Sequence, residues 1–294
     1  MRRVGVIPWP GGKGLLLSKL LPLIPEGGRP YTEAYFGAGW VLLNRSPAPT
    51  EAVNDLDERL ANFFRVLQDR CTYKELLHRL RWTPYARAEF ERARATLQDW
   101  ESGEEVPSVD LAWAFVVMQK QSFGGKGHDW GTRPNGKRKV LWAGLPHLLH
   151  AVRERIMEVQ IDRRDALDFL RYWDTPEAVH YVDPPYHPDT TGGRLYYRYN
   201  ADHAHHEALV SLLLGLRGAV VLSGYRHAVH EPLEASGWLR IDIPTVSHMA
   251  GRIRASRLRG EGGAKAHVPR TESVWLNPKA QELLRAQGRL LLQT

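Results

Sequence analysis

Short apolar runs alternate with helical stretches along most of this chain, and that alternation restricts it to very few architectures. The runs at 31–36 (YTEAYF), 51–54 (EAVN), 157–161 (MEVQI), 178–182 (AVHYV), 218–223 (GAVVLS) and 237–243 (GWLRIDI) read as strands. Helical periodicity follows several of them, as in DERLANFFRVLQ and DHAHHEALVSLLLGL. Strands separated by helices predict an α/β sheet, mostly parallel. Between Asn62 and Leu149 the pattern changes to amphipathic helices with no convincing strand: YKELLHRLRW, YARAEFERARATLQDW and SVDLAWAFVVMQKQ. A helical insert at 62–149 within one α/β unit formed by 1–61 and 150–294 is the simplest organisation. Segments 122–140, 187–201 and 244–270 are rich in Gly, Pro or charge and read as irregular.

In α/β sheets ligands bind where strands end, so the residues just past each run carry the functional information. The run AVHYV stops at Asp183-Pro184-Pro185-Tyr186. Two prolines stiffen the backbone there and donate no N–H, which leaves a carboxylate, carbonyl acceptors and an aromatic ring. That corner suits a planar group bearing an amino function. YTEAYF ends in Gly37-Ala38-Gly39, where the backbone can approach a ligand closely and a following helix would add partial positive charge. A plain tight turn is the competing reading, and the third glycine of the dinucleotide fingerprint is missing.

EAVN ends in Asn54-Asp55, an acid placed to accept ribose hydroxyls, or with Asp57 simply to cap the next helix. Asp162, Asp165 and Asp168 follow another run, where one could reach an adenine amino group or cap a helix. Lys13, in PWPGGKG, sits near a helix start, where a cation is unfavourable unless it faces an anion; a solvated lysine is the plainer reading. The P-loop spacing is absent.

Composition narrows the class. The 294 residues are 43% hydrophobic, enough for a large core, and carry a net charge of +7, so an acidic partner such as nucleic acid is expected. Two segments concentrate the charge. One holds Lys126, Arg133, Asn135, Lys137, Arg138 and Lys139, and the other Arg252, Arg254, Arg257 and Arg259. Each could neutralise several phosphates, and either could be a merely solvated loop. Arginines or Asn135 of the first block could read bases. One cysteine, Cys71, excludes an internal disulfide and fits a reducing, cytoplasmic setting. No apolar stretch suggests a membrane span or a signal peptide. Most of the ten tryptophans are expected in the core, and Cys71 is expected to be structural. His203, His205 and His206 lack the spacing of a helical zinc site, so no metal is expected and a helix start capped by Asp202 is the reading.

PWPGGKG, YTEAYFGAGWV, AVNDLDERLANFF, VDPPY, VVLSGYRH and TESVWLNP, in this order, resemble the Dam-type DNA adenine-N6 methyltransferases over nearly the whole chain. Ala34 and Tyr35 depart mildly from that family's pattern, and the helical insert departs more. The resemblance implies a Rossmann-like methyltransferase fold, with the insert as a target-recognition domain. S-adenosylmethionine is the implied methyl donor and double-stranded DNA the implied partner, in a prokaryotic or phage cytoplasm, near the nucleoid, with no membrane or obligate protein partner. Carried onto this chain, Trp9, Lys13, Glu33, Phe36, Gly37, Gly39, Asp55, Asp165 and Asp183 would surround the cofactor. Asp183, Pro184, Pro185 and Tyr186 would form the catalytic pocket for a flipped adenine, with Tyr186 stacked on the base. A DNA-binding chain without catalysis, and a cytosine-N4 or RNA methyltransferase, are the alternatives. Asp183 favours adenine over cytosine.

Overall fold

The computed structural model describes residues 4–100, 107–123, 127, 129–131, 142–191, 197–246 and 269–290. Seven strands form one sheet: β1 (Tyr31–Glu33), β2 (Glu51–Asn54), β3 (Gln160–Asp162), β4 (Val179–Val182), β5 (Ala219–Gly224), β6 (Leu239–Val246) and β7 (Pro269–Leu276). Their order is β3-β2-β1-β4-β5-β7-β6. Pairs β3–β2, β2–β1, β1–β4 and β4–β5 are parallel, and β7 runs antiparallel between β5 and β6. This is the mostly parallel, Rossmann-like sheet that the alternating sequence and the family resemblance imply.

Side-chain alternation assigns the two faces of the sheet. Tyr31, Val53, Val179, Tyr181, Val221, Val274 and Leu276 point into one apolar cluster. Ala52, Val182, Val220, Leu222 and Trp275 point into the other. Helices cover both faces, so β5 (AVVLSG) is buried along its whole length. The first face packs α2 (Glu58–Gln68), α3 (Arg70–Trp82), α4 (Arg87–Asp99), α5 (Val109–Gln121) and α6 (Leu145–Ile156). The second packs α7 (Ala166–Trp173), α9 (His203–Gly215) and α10 (Glu231–Ala235). Three further helices complete the count among the described residues: α1 (Leu17–Leu20), α8 (Pro188–Thr191) and α11 (Pro278–Ala286). None of the described helices is long and apolar enough to cross a membrane.

Helix starts follow from capping. Asp57, Asp69, Ser108, Asp165, Asp202 and Asn277 each accept a backbone N–H in the first turn of the helix that follows. In α5 nearly every residue is buried, including Trp113 and Phe115, because neighbouring helices surround it. The insert helices are therefore continuous with the main core, through contacts such as Phe36 on Phe64 (4.8 Å between ring centroids). Helix α2 begins at Glu58, so the chain passes residues 61–62 inside a helix.

Several expectations need correction. Strand β7 and the end of β6 fall inside or beside the segment read as irregular. Strand β6 continues through Pro244 because it is the outermost strand, where a missing N–H need cost no ladder bond. Pro188–Thr191 is a helical turn within another segment read as irregular. Beyond Gly39 there is no α-helix, only a 3-10 turn at Leu42–Asn44, so the expected helix dipole is absent there. The tryptophans meet the expectation: Trp113, Trp238 and Trp275 are buried and Trp9, Trp40, Trp130, Trp142 and Trp173 pack against the core, whereas Trp82 is 71% exposed. Cys71 is exposed in the first turn of α3 rather than part of the core.

Candidate active site

The sheet order changes direction between β1 and β4, and parallel pairing brings their C-terminal ends together, with Glu33 opposite Tyr181. The glycine turn after β1 and the Asp-Pro-Pro-Tyr segment after β4 therefore emerge side by side. A cavity of about 170 Å³ opens between them. Trp9, Lys13, Glu33, Phe36, Gly37, Asp55, Asp165 and Asp183 all line it. Gly39 stands behind it, with φ of +69° and a position where a Cβ would lie 2.6 Å from the Phe36 ring. Gly37, at φ +50°, lies so close to Trp9 that a Cβ would meet the indole at 2.9 Å. Both glycines are thus required by backbone conformation and by packing. The wall residues are backed by the insert, where Phe64 packs on Phe36 (4.8 Å) and Phe115 on Trp9 (6.1 Å).

Asp55 and Asp57 are placed differently. Asp57 caps α2. Asp55 turns to the cavity rim and accepts N–H bonds from Gly37 (2.7 Å) and Asp57 (2.9 Å). Burial pushes its carboxyl up to about 6 despite those two bonds. Asp165 caps α7 through Leu167 N (2.8 Å) and also lines the cavity. Burial raises Glu33 to about 8, against the pull of the Tyr31 hydroxyl that donates to it at 2.8 Å.

At the tip of β4 the charges are arranged differently. Lys13, only 3% exposed, is no solvated lysine. Its ammonium contacts Asp183 Oδ1 at 2.6 Å, the Tyr186 hydroxyl at 2.9 Å and Glu272 Oε1 at 3.2 Å. The anion it faces is thus supplied by the protein itself. Burial would lower the Lys13 pKa, but Asp183 and Glu272 together hold it well above the ordinary value. Burial pushes Asp183 up to about 6; Lys13 opposes that rise and Glu272 adds to it. Tyr186 donates to the Glu272 carboxylate (2.9 Å), and Ser223 donates to the same group (2.9 Å). The Tyr186 ring packs against Tyr225, 4.3 Å between centroids. Pro185 lines the cavity, whereas Pro184 is buried behind it.

Glu272 is the residue that sequence reasoning passed over. Its signal was an acid inside an apolar strand, TESVWL, where it is 2% exposed. Tyr197 was also passed over; it lines the cavity and donates from its hydroxyl to Pro10 O at 3.1 Å. The basic residues Lys126, Arg133, Asn135, Lys137, Arg138, Lys139, Arg252, Arg254, Arg257 and Arg259 lie outside the described residues.

A family model for D12 class N6 adenine-specific DNA methyltransferases matches residues 9–229. The chain belongs to that family. Comparison with curated proteins gave no match. The match spans the cavity from Trp9 to Asp183, so this is an enzyme of the adenine-N6 DNA methyltransferase class, with a Rossmann-like methyltransferase sheet and DNA as its substrate. Glu272, on β7, lies beyond the matched segment.

Proposed function

We propose that this methyltransferase binds S-adenosylmethionine in the cavity at the tips of β1, β2 and β4, and that Asp183 receives a flipped adenine beside it. The lining fits such a cofactor. Trp9 and Phe36 offer apolar walls, Asp55 offers a carboxylate at the second strand tip for the ribose hydroxyls, and Asp165 stands ready for the adenine amine. When bound, the cofactor supplies an electrophilic methyl group on a positively charged sulfur.

The protein's task is to make a poor nucleophile react. The lone pair of adenine N6 is delocalised into the ring. An acceptor on the amino hydrogens favours a more tetrahedral nitrogen and stabilises the positive charge that develops on it. Asp183 is that acceptor. Lys13 holds its Oδ1, and Oδ2 has no hydrogen-bond partner among the described residues. The Pro184 carbonyl takes the second N–H. Two carboxylates, Asp183 and Glu272, face one ammonium, so the site carries excess negative charge where the amine becomes positive. Tyr186 stacks on the base, its ring aligned by the hydroxyl bonds to Lys13 and Glu272. The base must leave the duplex, because the reacting amine is not reachable in the stack. No covalent intermediate is needed. Residues 62–149 serve target recognition, and the two basic blocks neutralise phosphates.

The observation that carries this reading is Asp183, held by one oxygen at the mouth of the cavity and open at the other. The test is methyl transfer from radiolabelled S-adenosylmethionine to unmethylated genomic DNA, followed by nucleoside mass spectrometry. N6-methyladenine formed by the wild type and absent with Asp183→Ala is expected. A methylated cytosine, or no methylated base despite cofactor and DNA binding, would refute it.

A further inference from the structure

Directly after Tyr186, two segments bring together side chains that the methyl-transfer chemistry does not use. His187 follows the Asp-Pro-Pro-Tyr segment, Asp189 lies in α8, and His203 is the first residue of α9. One donor atom from each lies within 4.8 Å of the others. His187 Nδ1 is 3.7 Å from Asp189 Oδ2, and His203 Nε2 is 3.7 Å from Asp189 Oδ1. Two donors bound tetrahedrally to zinc at about 2.1 Å sit about 3.4 Å apart. With His187 held in place, the exposed Asp189 and His203 side chains rotate inward to enclose an ion, which replaces the long Asp189 N–H bond (3.4 Å) at His187 Nδ1.

The surroundings of the carboxylate match those of a ligand. His227, on the segment after β5, accepts the Val229 N–H at its Nδ1 (3.2 Å), which leaves the proton on Nε2. That Nε2 donates to Asp189 Oδ2 at 3.2 Å. Metal-bound carboxylates are commonly fixed by such an outer hydrogen bond. The His227 ring also stacks on His187, 3.6 Å between centroids, and fixes its plane. His187 is 3% exposed, so its ring is held by packing, whereas Asp189 and His203 face solvent and give an ion its route in.

We infer that His187, Asp189 and His203 form a binding site for a divalent transition metal of the zinc class, with His227 orienting the carboxylate. Two imidazoles and one carboxylate are the donor types that zinc accepts, and a fourth position stays open to water. An ion there joins the chain just past Tyr186 to the start of α9 and braces the base-binding corner. The sequence reading weighed only His203, His205 and His206. It had no means of seeing that His203 meets two residues of another segment.

The test needs no methyl transfer and is independent of the proposed function. Untagged full-length protein is stripped with a chelator, desalted and titrated with zinc chloride. Calorimetry should give one ion per chain with a dissociation constant of about 10 μM or tighter, and the melting temperature should rise with zinc. His203→Ala should weaken binding at least about 10-fold and cancel the thermal shift. Asp189→Asn should do the same, and His147→Ala, at an exposed position on α6, should change neither. Circular dichroism of the zinc-free variants confirms that they fold. Absence of stoichiometric zinc binding, or binding unchanged in both His203→Ala and Asp189→Asn, would overturn the assignment.

Discussion

Asp55 and Asp183 stand at the tips of two strands of one sheet, and burial raises both carboxyls to about 6. They are held in different ways. Asp55 is fixed by backbone N–H groups of Gly37 and Asp57, which belong to its own turn and its neighbour's. Asp183 is fixed by the side chain of Lys13, itself balanced by Glu272 from a strand late in the chain. Local backbone donors build a binding carboxylate whose position hardly depends on other charges. A buried ion network builds a carboxylate whose proton affinity depends on two distant residues. Under the proposed function, the first arrangement serves recognition and the second serves chemistry.

The two carboxylates should therefore separate under mutation. Asp183→Asn keeps the shape but turns an acceptor towards donation, and should lower the single-turnover rate by about 10³-fold while leaving calorimetric cofactor affinity nearly unchanged. Equal losses in rate and affinity would erase the distinction. Lys13→Met should follow, at about 10²-fold in rate. It leaves Asp183 and Glu272 facing each other without a cation, so the acidic limb of the rate profile should move to higher pH. Asp55→Asn should act on the other property, weakening S-adenosylmethionine about 10-fold in a binding titration, with a much smaller change in rate at saturating cofactor. A large loss of rate at saturation would assign Asp55 to the chemistry.

The same contrast explains what could be read from the sequence. Asp55, Gly37 and Gly39 were legible because they lie in the turns that follow strand-like runs, and strand tips are where α/β sheets bind ligands. Asp183 was legible for the same reason, helped by the two prolines. What surrounds Asp183 was not. Glu272 pairs with Lys13 only because β7 inserts antiparallel between β5 and β6. That insertion was hidden because the segment 244–270, from the end of β6 to the start of β7, is rich in Gly, Pro and charge and reads as irregular. The His187–Asp189–His203 cluster was hidden likewise, since its members meet only in three dimensions. The helical insert was visible as periodicity, yet its fusion with the main core depends on contacts such as Phe115 on Trp9, which no local pattern encodes.

The most direct measurement is the single-turnover rate of methyl transfer against pH, for the wild type and Glu272→Gln. Asp183 must be ionised to accept the amine hydrogens, so the wild-type rate should fall as pH drops through about 6. Glu272 raises that value, and making it neutral should move the acidic limb to lower pH, with at most about a 10-fold change in the plateau. A limb that stays in place in Glu272→Gln, or a wild-type rate that is flat through this range, would contradict a catalytic Asp183 tuned by the buried network.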